Sequence, residues 1–286
     1  MCDGSTRVRS TIVDVRIEVL SDHGGDQLRR TTQRLAAADA EVAARQARYR
    51  RAWADLEAAR RDKPLWRRVL SHTTPAERAA LEHVRGSWAG VAGVDAGRRA
   101  VHGRRQERAA GVEGEDALVR ELSVLSDDWL LVRGYHNGRG ETDHVLVGPR
   151  GVWAIEVKRR RVRLHVVGDR WWFERLDRRA KLVGTAWAVD GGGRTWGRQV
   201  GDVARDLAAW LAHNGYPIRV HTAVMLMHEH AVVARCERPA VDLVSARPDL
   251  LLTAVLARPP ALSPRTRTTI ADLIRRDHRF HAARRR

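Results

Sequence analysis

Cysteine is scarce in this sequence, and Cys2 and Cys236 are the two occurrences in 286 residues. Two cysteines this far apart exclude a disulfide framework and an all-cysteine zinc site, and such usage is typical of the cytoplasm. No uncharged apolar run approaches the roughly 18 residues of a membrane-spanning helix, and the first residues lack the apolar stretch of a secretory signal. The sequence therefore predicts a cytoplasmic protein without a membrane span.

Lysine is also scarce, although the chain is strongly basic. Lys63, Lys158 and Lys181 are the three lysines among 52 Lys and Arg residues, and with 35 Asp and Glu residues the formal net charge is +17. A charge of this size favours a polyanionic partner, with DNA the first expectation and RNA an alternative. Because lysine is a compact point charge and arginine a planar fork, a lysine in this chain can mark a position where arginine does not serve.

The first third of the sequence is rich in helix-forming residues. The predicted elements are a strand at 13–19, a long helix at 28–62, a second helix from Thr74 to about residue 85, a looser stretch at Gly86, Gly90, Gly93 and Gly97, and a basic linker or helix at 98–108. We interpret residues 1–107 as a mainly helical accessory region with an N-terminal strand. A helical hairpin is favoured there over a coiled-coil homodimer. The second set of heptad positions, which would have to be apolar to complete a coiled-coil seam, includes arginine.

From Gly111 onward, short apolar strands alternate with amphipathic helices. The predicted elements are a helix at 113–125, strands at 129–136, 141–147, 152–158, 162–167 and 171–175, a helix at 196–213, strands at 218–228 and 241–244, a helix at 248–257, and a basic helix and tail at 264–286. Strands flanked by helices indicate an α/β domain over residues 108–260, followed by a basic C-terminal segment at 261–286. Trp171 and Trp172 point to opposite faces of one strand, and both are expected in the core, although one of them could instead stack on an unpaired base.

The most informative stretch runs from Gly140 to Lys158. A turn at 148–151 joins two strands, and a symmetric hairpin places Asp143 opposite Glu156, with Lys158 on the same face as Glu156. Opposed carboxylates about 5 Å apart repel unless a positive charge lies between them. Mg²⁺ binds through one or two carboxylates, and a lysine beside it can act on a water or on the charge of a phosphate. The pattern therefore predicts a metal-plus-lysine site for phosphodiester hydrolysis.

The alternative interpretation of the same hairpin is a solvent-exposed ladder of ion pairs, in which Lys158 pairs with Glu156 and Glu141. Exposed pairs of this kind are common and contribute about 0–1 kcal/mol. Two observations favour the metal site: the register sets like charges opposite each other, and one of the three lysines falls at this position.

Four separated elements in this order resemble the nuclease-related domain (NERD), a branch of the PD-(D/E)XK nuclease superfamily. They are Gly111-Val112-Glu113-Gly114-Glu115, Gly140-Glu141-Thr142-Asp143-His144, Gly151 to Lys158, and Gln199. The resemblance covers roughly residues 108–230 and implies a restriction-endonuclease-like mixed sheet flanked by helices. The chain departs from the family pattern after the lysine, where Arg159-Arg160-Arg161 follow, and before the glutamine, where Trp196-Gly197-Arg198 stand.

The resemblance also implies roles for individual residues. Asp143 and Glu156 would be metal ligands, Lys158 the catalytic lysine, Glu115 an acidic residue of the helix that adds a third carboxylate, and Gln199 an auxiliary polar group. The cations Arg159, Arg160, Arg161 and Arg163 beside this site are predicted to contact phosphates. The sequence thus predicts a Mg²⁺- or Mn²⁺-dependent nuclease acting on DNA. The alternatives are a catalytically inactive nucleic-acid-binding or scaffold protein that keeps the fold and, less favoured, a protein attached to an anionic membrane by its basic tail.

Overall fold

The computed structural model describes residues 14–69 and 72–284. Residue contacts divide the chain into two units. Among the described residues, those of 24–109 form a helical unit, and residues 14–23 and 110–284 form the second unit.

The helical unit contains α1 (His23–Arg61), α2 (Leu65–Val69) and most of α3 (Pro75–Leu122). The Thr74 hydroxyl accepts a hydrogen bond from the Glu77 backbone N–H at 3.0 Å, as the N-cap pattern predicts. A small apolar cluster that includes Ala52, Leu56 and Val84 forms the core of this unit.

The predicted loosening of the chain at Gly86–Gly97 and the break before residue 113 are wrong, because α3 continues through all of these glycines. A glycine inside a helix costs about 1 kcal/mol relative to alanine, which a long helix with packed neighbours tolerates.

The second unit holds ten strands and three further helices in the described part of the chain. They are β1 (Arg16–Val19), β2 (Leu130–Asn137), β3 (Gly140–Gly148), β4 (Gly151–Lys158), β5 (Val162–Val167), β6 (Arg170–Leu176), β7 (Leu182–Trp187), α4 (Trp196–His213), β8 (Val220–Leu226), β9 (Val232–Glu237), β10 (Leu243–Ser245), α5 (Pro248–Leu256) and α6 (Pro264–Ala283). Of the predicted segments, Val13 in the first strand and Arg285–Arg286 in the tail lie outside the described residues.

The larger sheet is mixed, with strand order β1-β2-β3-β4-β8-β10. β2, β3 and β4 are antiparallel, whereas β1 pairs in parallel with β2, and β4, β8 and β10 run parallel to one another. The smaller sheet has the order β7-β6-β5-β9. Sequence patterning missed β7 and β9, most of whose residues are exposed and whose polarity does not alternate.

Helices cover both faces of the larger sheet, as the apolar residues on both faces of the β3–β4 hairpin predict. On one face, α4 and α6 pack against residues such as Val145 and Ala154, and the inner face of the smaller sheet joins the same core. On the other face, Leu118 and Leu122 of α3 and residues of α5 pack against Leu146 and Ile155. The mixed sheet flanked by helices and the N-terminal helical region confirm the predicted fold class. In the described part of the chain, no helix combines the length and apolarity needed to span a membrane.

Candidate active site

The β3–β4 hairpin has the symmetric register predicted from its turn. Val147 pairs with Val152, Leu146 with Trp153, and His144 with Ile155. Because side chains alternate along a strand, this register directs Glu156 and Lys158 to the face that carries Val152 and Ala154, which α4 covers. The charged cluster therefore lies at the open end of the hairpin.

At this open end, hydrogen bonds from side chains of β3 to the backbone of β4 take the place of backbone-to-backbone hydrogen bonds. One oxygen of Asp143, Oδ2, accepts a hydrogen bond from the Val157 backbone N–H at 2.6 Å. The neighbouring Thr142 hydroxyl donates to the Ile155 carbonyl at 3.1 Å. Asp143 is thus fixed against β4 by a bond to its carboxylate, rather than by the backbone pairing with Glu156 that the hairpin pattern predicts.

Glu156 is buried, with 1% of its surface exposed. Its Oε1 forms an ion pair with the Lys158 ammonium, and its Oε2 is buried without a hydrogen-bond partner. Burial and the Asp143 charge raise the pKa of Glu156 to about 8, although Lys158 acts in the opposite direction. A buried carboxylate of this kind is incompatible with the alternative of a solvent-exposed charge ladder.

Lys158 lies between the carboxylates and helix α4. Its Nζ atom is 5.7 Å from the centre of the Trp196 ring at the start of α4, and its side chain is 21% exposed. Burial opposes the charge of the ammonium, but Glu156 and Asp143 outweigh that effect and raise the pKa of Lys158. The lysine is therefore protonated at neutral pH.

Glu115 reaches the same end of the sheet from α3 because Gly114 lets the helix approach the end of β4. A Cβ at Gly114 would lie 2.8 Å from the Arg159 Cβ. The Arg133 guanidinium of β2 contacts Glu115 at 3.5 Å and Asp116 at 2.9 Å. Burial and the charge of Asp143 raise the pKa of Glu115 to about 8, although Arg133 acts in the opposite direction.

Gln199 lies one turn of α4 after Trp196, the residue whose ring faces Lys158. Its Oε1 atom is buried without a hydrogen-bond partner. The helix begins at the Thr195 N-cap, whose hydroxyl accepts from the Arg198 backbone N–H at 3.3 Å. The structure thus places Gln199 on the helix that covers Lys158, with an amide oxygen that lacks a donor.

The basic residues after β4 contact protein groups. Arg159 pairs with Glu113 at 2.7 Å, Arg163 pairs with Glu174 at 3.0 Å, and Arg160 lies over the Phe173 ring at 5.8 Å. Arg161 has a buried Nε atom without a hydrogen-bond partner. Phosphate contacts by Arg159, Arg160, Arg161 and Arg163 stay a prediction.

Sequence patterning missed two residues near the site. Arg133, the partner of Glu115, interrupts the apolar run of β2, and a charge inside a buried strand is the signal that points to it. His144 is fully buried, both of its ring nitrogens lack hydrogen-bond partners, and burial together with Arg133 lowers its pKa to about 3. The imidazole is therefore neutral, and its position next to Asp143 in the sequence was the available signal.

The carboxylates of Asp143 and Glu156 are oxygen ligands of the kind that hold a hard divalent cation. Within residues 14–69 and 72–284, no three His, Cys, Asp or Glu side chains converge closely enough to form a metal site by themselves. Asp143 uses one oxygen for Val157, and Glu156 presents the buried, unpartnered Oε2. Mg²⁺ commonly binds through one or two carboxylates and completes its octahedron with water and substrate oxygens, so these residues fit it.

One comparison with known proteins finds a family similarity over part of the chain. Residues 110–227 match the family model described as the nuclease-related domain. The matched segment runs from the C-terminal part of α3 to the residue after β8, and it contains Glu115, Asp143, Glu156, Lys158 and Gln199. No curated protein and no solved structure matches the chain.

Proposed function

We propose that the protein is a Mg²⁺- or Mn²⁺-dependent nuclease that hydrolyses phosphodiester bonds in DNA. The proposal starts from the match of residues 110–227 to the nuclease-related domain model. The observation that supports this most strongly is the buried, unpartnered Oε2 of Glu156 beside the Asp143 carboxylate and the Lys158 ammonium. Leaving a buried carboxylate oxygen without a partner is costly, and a cation bound there would offset that cost.

Asp143 and Glu156 would hold the cation. The Val157 backbone N–H orients Asp143, and the protein core surrounding Glu156 fixes its position. When bound, a divalent cation supplies charge neutralisation at the scissile phosphate and lowers the pKa of a coordinated water. Glu115, which contacts Arg133, lies at the same end of the sheet and would add negative charge there once it is deprotonated.

In the proposed mechanism, Lys158 stabilises the negative charge that develops on the phosphate. Since its ammonium is protonated, it donates to a non-bridging oxygen of the phosphate as negative charge develops there. During hydrolysis, a water oxygen forms the new bond to phosphorus while the bond from phosphorus to the leaving sugar oxygen breaks. The attacking water gives up one proton to solvent, and the leaving oxygen takes up one proton from solvent. The Gln199 amide, which has an unpartnered Oε1, would accept a hydrogen bond from the attacking water or from the substrate.

A cleavage assay tests the proposal. Supercoiled plasmid and a single-stranded oligonucleotide are incubated with wild type, Glu156→Ala and Lys158→Ala in Mg²⁺, Mn²⁺ or EDTA. We expect metal-dependent cleavage by wild type and a loss of about 10²-fold or more in both variants. Glu229→Ala and Lys181→Ala, which change exposed residues of the same types, are the matched controls and should cleave like wild type. Equal cleavage by Glu156→Ala and wild type would overturn the assignment.

A second candidate is a nucleic-acid-binding protein that keeps the fold without turnover. The direct ion pair between Lys158 and Glu156, and the lack of a three-ligand metal group in the described residues, favour it. This candidate predicts salt-sensitive DNA binding without cleavage in any metal. Cleavage that depends on Glu156 would exclude it.

A further inference from the structure

The outer face of the smaller sheet carries a row of four side chains, one from each strand. In the strand register, Trp187 of β7 pairs with Trp172 of β6, Trp172 with His165 of β5, and His165 with Arg235 of β9. The residues before and after Trp172, which are Trp171 and Phe173, point the other way into the core. Because strand residues alternate, the four members of the row share the outer face, and we call this surface the tryptophan row.

The expectation that both Trp171 and Trp172 belong to the core is correct for Trp171 alone. Trp171 is fully buried, whereas Trp172 is half-buried and stacks on the His165 ring at 5.1 Å with an angle of 5° between the planes. Trp187 is 64% exposed. A groove of about 560 Å³ lies along the row, and its walls include both tryptophans, Arg170 and Arg235. The row thus offers flat aromatic surface together with cations.

The charges around the row favour an anionic partner. Arg163 and Arg235 lie on the same outer face and pair with Glu174 and Glu237, yet their side chains stay about half exposed, at 48% and 51%. Arg170 lines the groove and is exposed. The whole chain has a net charge of +17, which raises the local concentration of polyanions.

We propose that the tryptophan row binds single-stranded nucleic acid, with unpaired bases stacked on Trp187 and Trp172 and phosphates near Arg170 and Arg235. Strands in a sheet are spaced about 4.8 Å apart, so adjacent aromatic side chains across them form a continuous stacking surface. A duplex hides its base faces inside its own stack and cannot use this surface. The inference rests on the proposed function, because it names the form of nucleic acid that the enzyme would take.

The row is connected to the candidate active site through β5. The strand begins four residues after Lys158, and the intervening Arg159–Arg161 are cationic. Arg163, the first outward-facing residue of β5, follows directly on this basic connection. The stretch of chain that joins the candidate active site to the row therefore carries four arginines within residues 159–163.

Binding is measured in EDTA, so that the result does not depend on cleavage. The probe is a fluorescein-labelled oligothymidylate of about 16 nucleotides, long enough for a typical single-strand site, and its anisotropy is followed as protein is added. We expect Trp187→Ala to weaken binding by about 5-fold or more, since stacking of one base on one aromatic ring is typically worth at least that. Trp187→Phe, which keeps a flat ring, should retain most of the affinity.

Two comparisons make the test specific. Trp88→Ala removes a similarly exposed tryptophan, at 57%, from α3 in the helical unit and should leave affinity unchanged. A labelled duplex of the same length should bind wild type and Trp187→Ala equally, and the slope of log affinity against log salt should not change, because no phosphate contact is removed.

The inference is overturned if Trp187→Ala binds oligothymidylate like wild type, or if it weakens single strand and duplex to the same extent. The first result would indicate that the row serves a different ligand, and the second would indicate a general loss of the fold or of charge. If Trp187-dependent binding is found but no metal supports cleavage, the proposed function fails while the binding surface stands. If cleavage is found without that binding, the inference alone fails.

Discussion

At the scale of single residues, Lys158 is the position where side-chain chemistry matters most. Nearly every other cation in this chain is an arginine, but here a compact ammonium lies between the Glu156 carboxylate and the Trp196 ring. A guanidinium is larger and planar and places its charge differently, so it does not replace an ammonium at a packed position.

Under the proposed function, Lys158→Arg should therefore abolish cleavage although it keeps the positive charge. We expect a loss of about 10²-fold or more in the rate of cleavage, similar to the loss of one charge-stabilising donor. Initial rates on plasmid DNA measure the effect, and Lys181→Arg, at an exposed position, is the control that should behave like wild type. Retention of more than about a tenth of the activity would show that the site needs only a charge.

The sequence predicted which residues share one face of the hairpin at this scale but not their hydrogen bonds. Alternation and a symmetric turn are local rules, and they placed Glu156 and Lys158 on one face. The bond from the Val157 N–H to Asp143 and the contact between Arg133 and Glu115 depend on how strand ends and a helix meet in three dimensions. No spacing rule within one segment contains that information.

At the scale of elements, Gly134 in the middle of β2 is required by the backbone. Its φ of +68° is left-handed, and a Cβ there would lie 2.1 Å from the Ser21 carbonyl oxygen, just after β1. The flanking residues are Arg133, which holds Glu115, and the fully buried Tyr135. The glycine lets the chain after β1 pass close to the strand that supports the site.

Gly134→Ala should destabilise the protein by about 2–4 kcal/mol, because it combines backbone strain with a steric clash against another backbone segment. Gly168→Ala is a matched control, since Gly168 also has a left-handed φ, of +55°, but has no atom within 4 Å of its Cβ position. That control should lose only about 1 kcal/mol. Urea unfolding of both variants measures the difference. Equal losses in the free energy of unfolding would contradict the steric clash at residue 134.

The elements themselves were predicted unevenly. Helix α4 was predicted with its observed bounds because its apolar stripe is strong and its cap and end signals agree. The single helix α3 was predicted as separate segments with a looser stretch between them, since four glycines usually end a helix when no packing is known. Strands β7 and β9 lie on the edges of the smaller sheet and stay largely exposed, so they lack the apolar alternation that marks a half-buried strand.

At the scale of the whole molecule, the carboxylates of the site link stability to pH. Glu115 and Glu156 have a pKa of about 8 in the folded protein, against an ordinary value of 4.5. Between these values the folded chain binds more protons than the unfolded chain. Linkage then requires that these two groups lower the free energy of unfolding as the pH rises from 4.5 toward 8.

A cation bound by the deprotonated carboxylates should restore the stability that is lost when Glu115 and Glu156 lose their protons. We expect Mg²⁺ to raise the melting temperature of wild type more at about pH 8 than at about pH 5, because the ligands must be deprotonated to bind it. In EDTA, Glu156→Gln should gain stability relative to wild type over the same interval, since it removes one titrating group. A Mg²⁺ effect of equal size at both pH values, or one retained in Glu156→Gln, would contradict this linkage.

The central claim is that Asp143 and Glu156 together form a divalent-cation site, and direct binding of Mn²⁺ tests it without any assumption about the substrate. Electron paramagnetic resonance of unbound Mn²⁺ is followed as wild type, Asp143→Asn and Glu156→Gln are added. Asparagine keeps an oxygen for the Val157 N–H, so the first variant should retain the local hydrogen bond. The account predicts that wild type binds Mn²⁺ and that both variants lose most of this binding. Mn²⁺ binding by either variant with the affinity of wild type would contradict it.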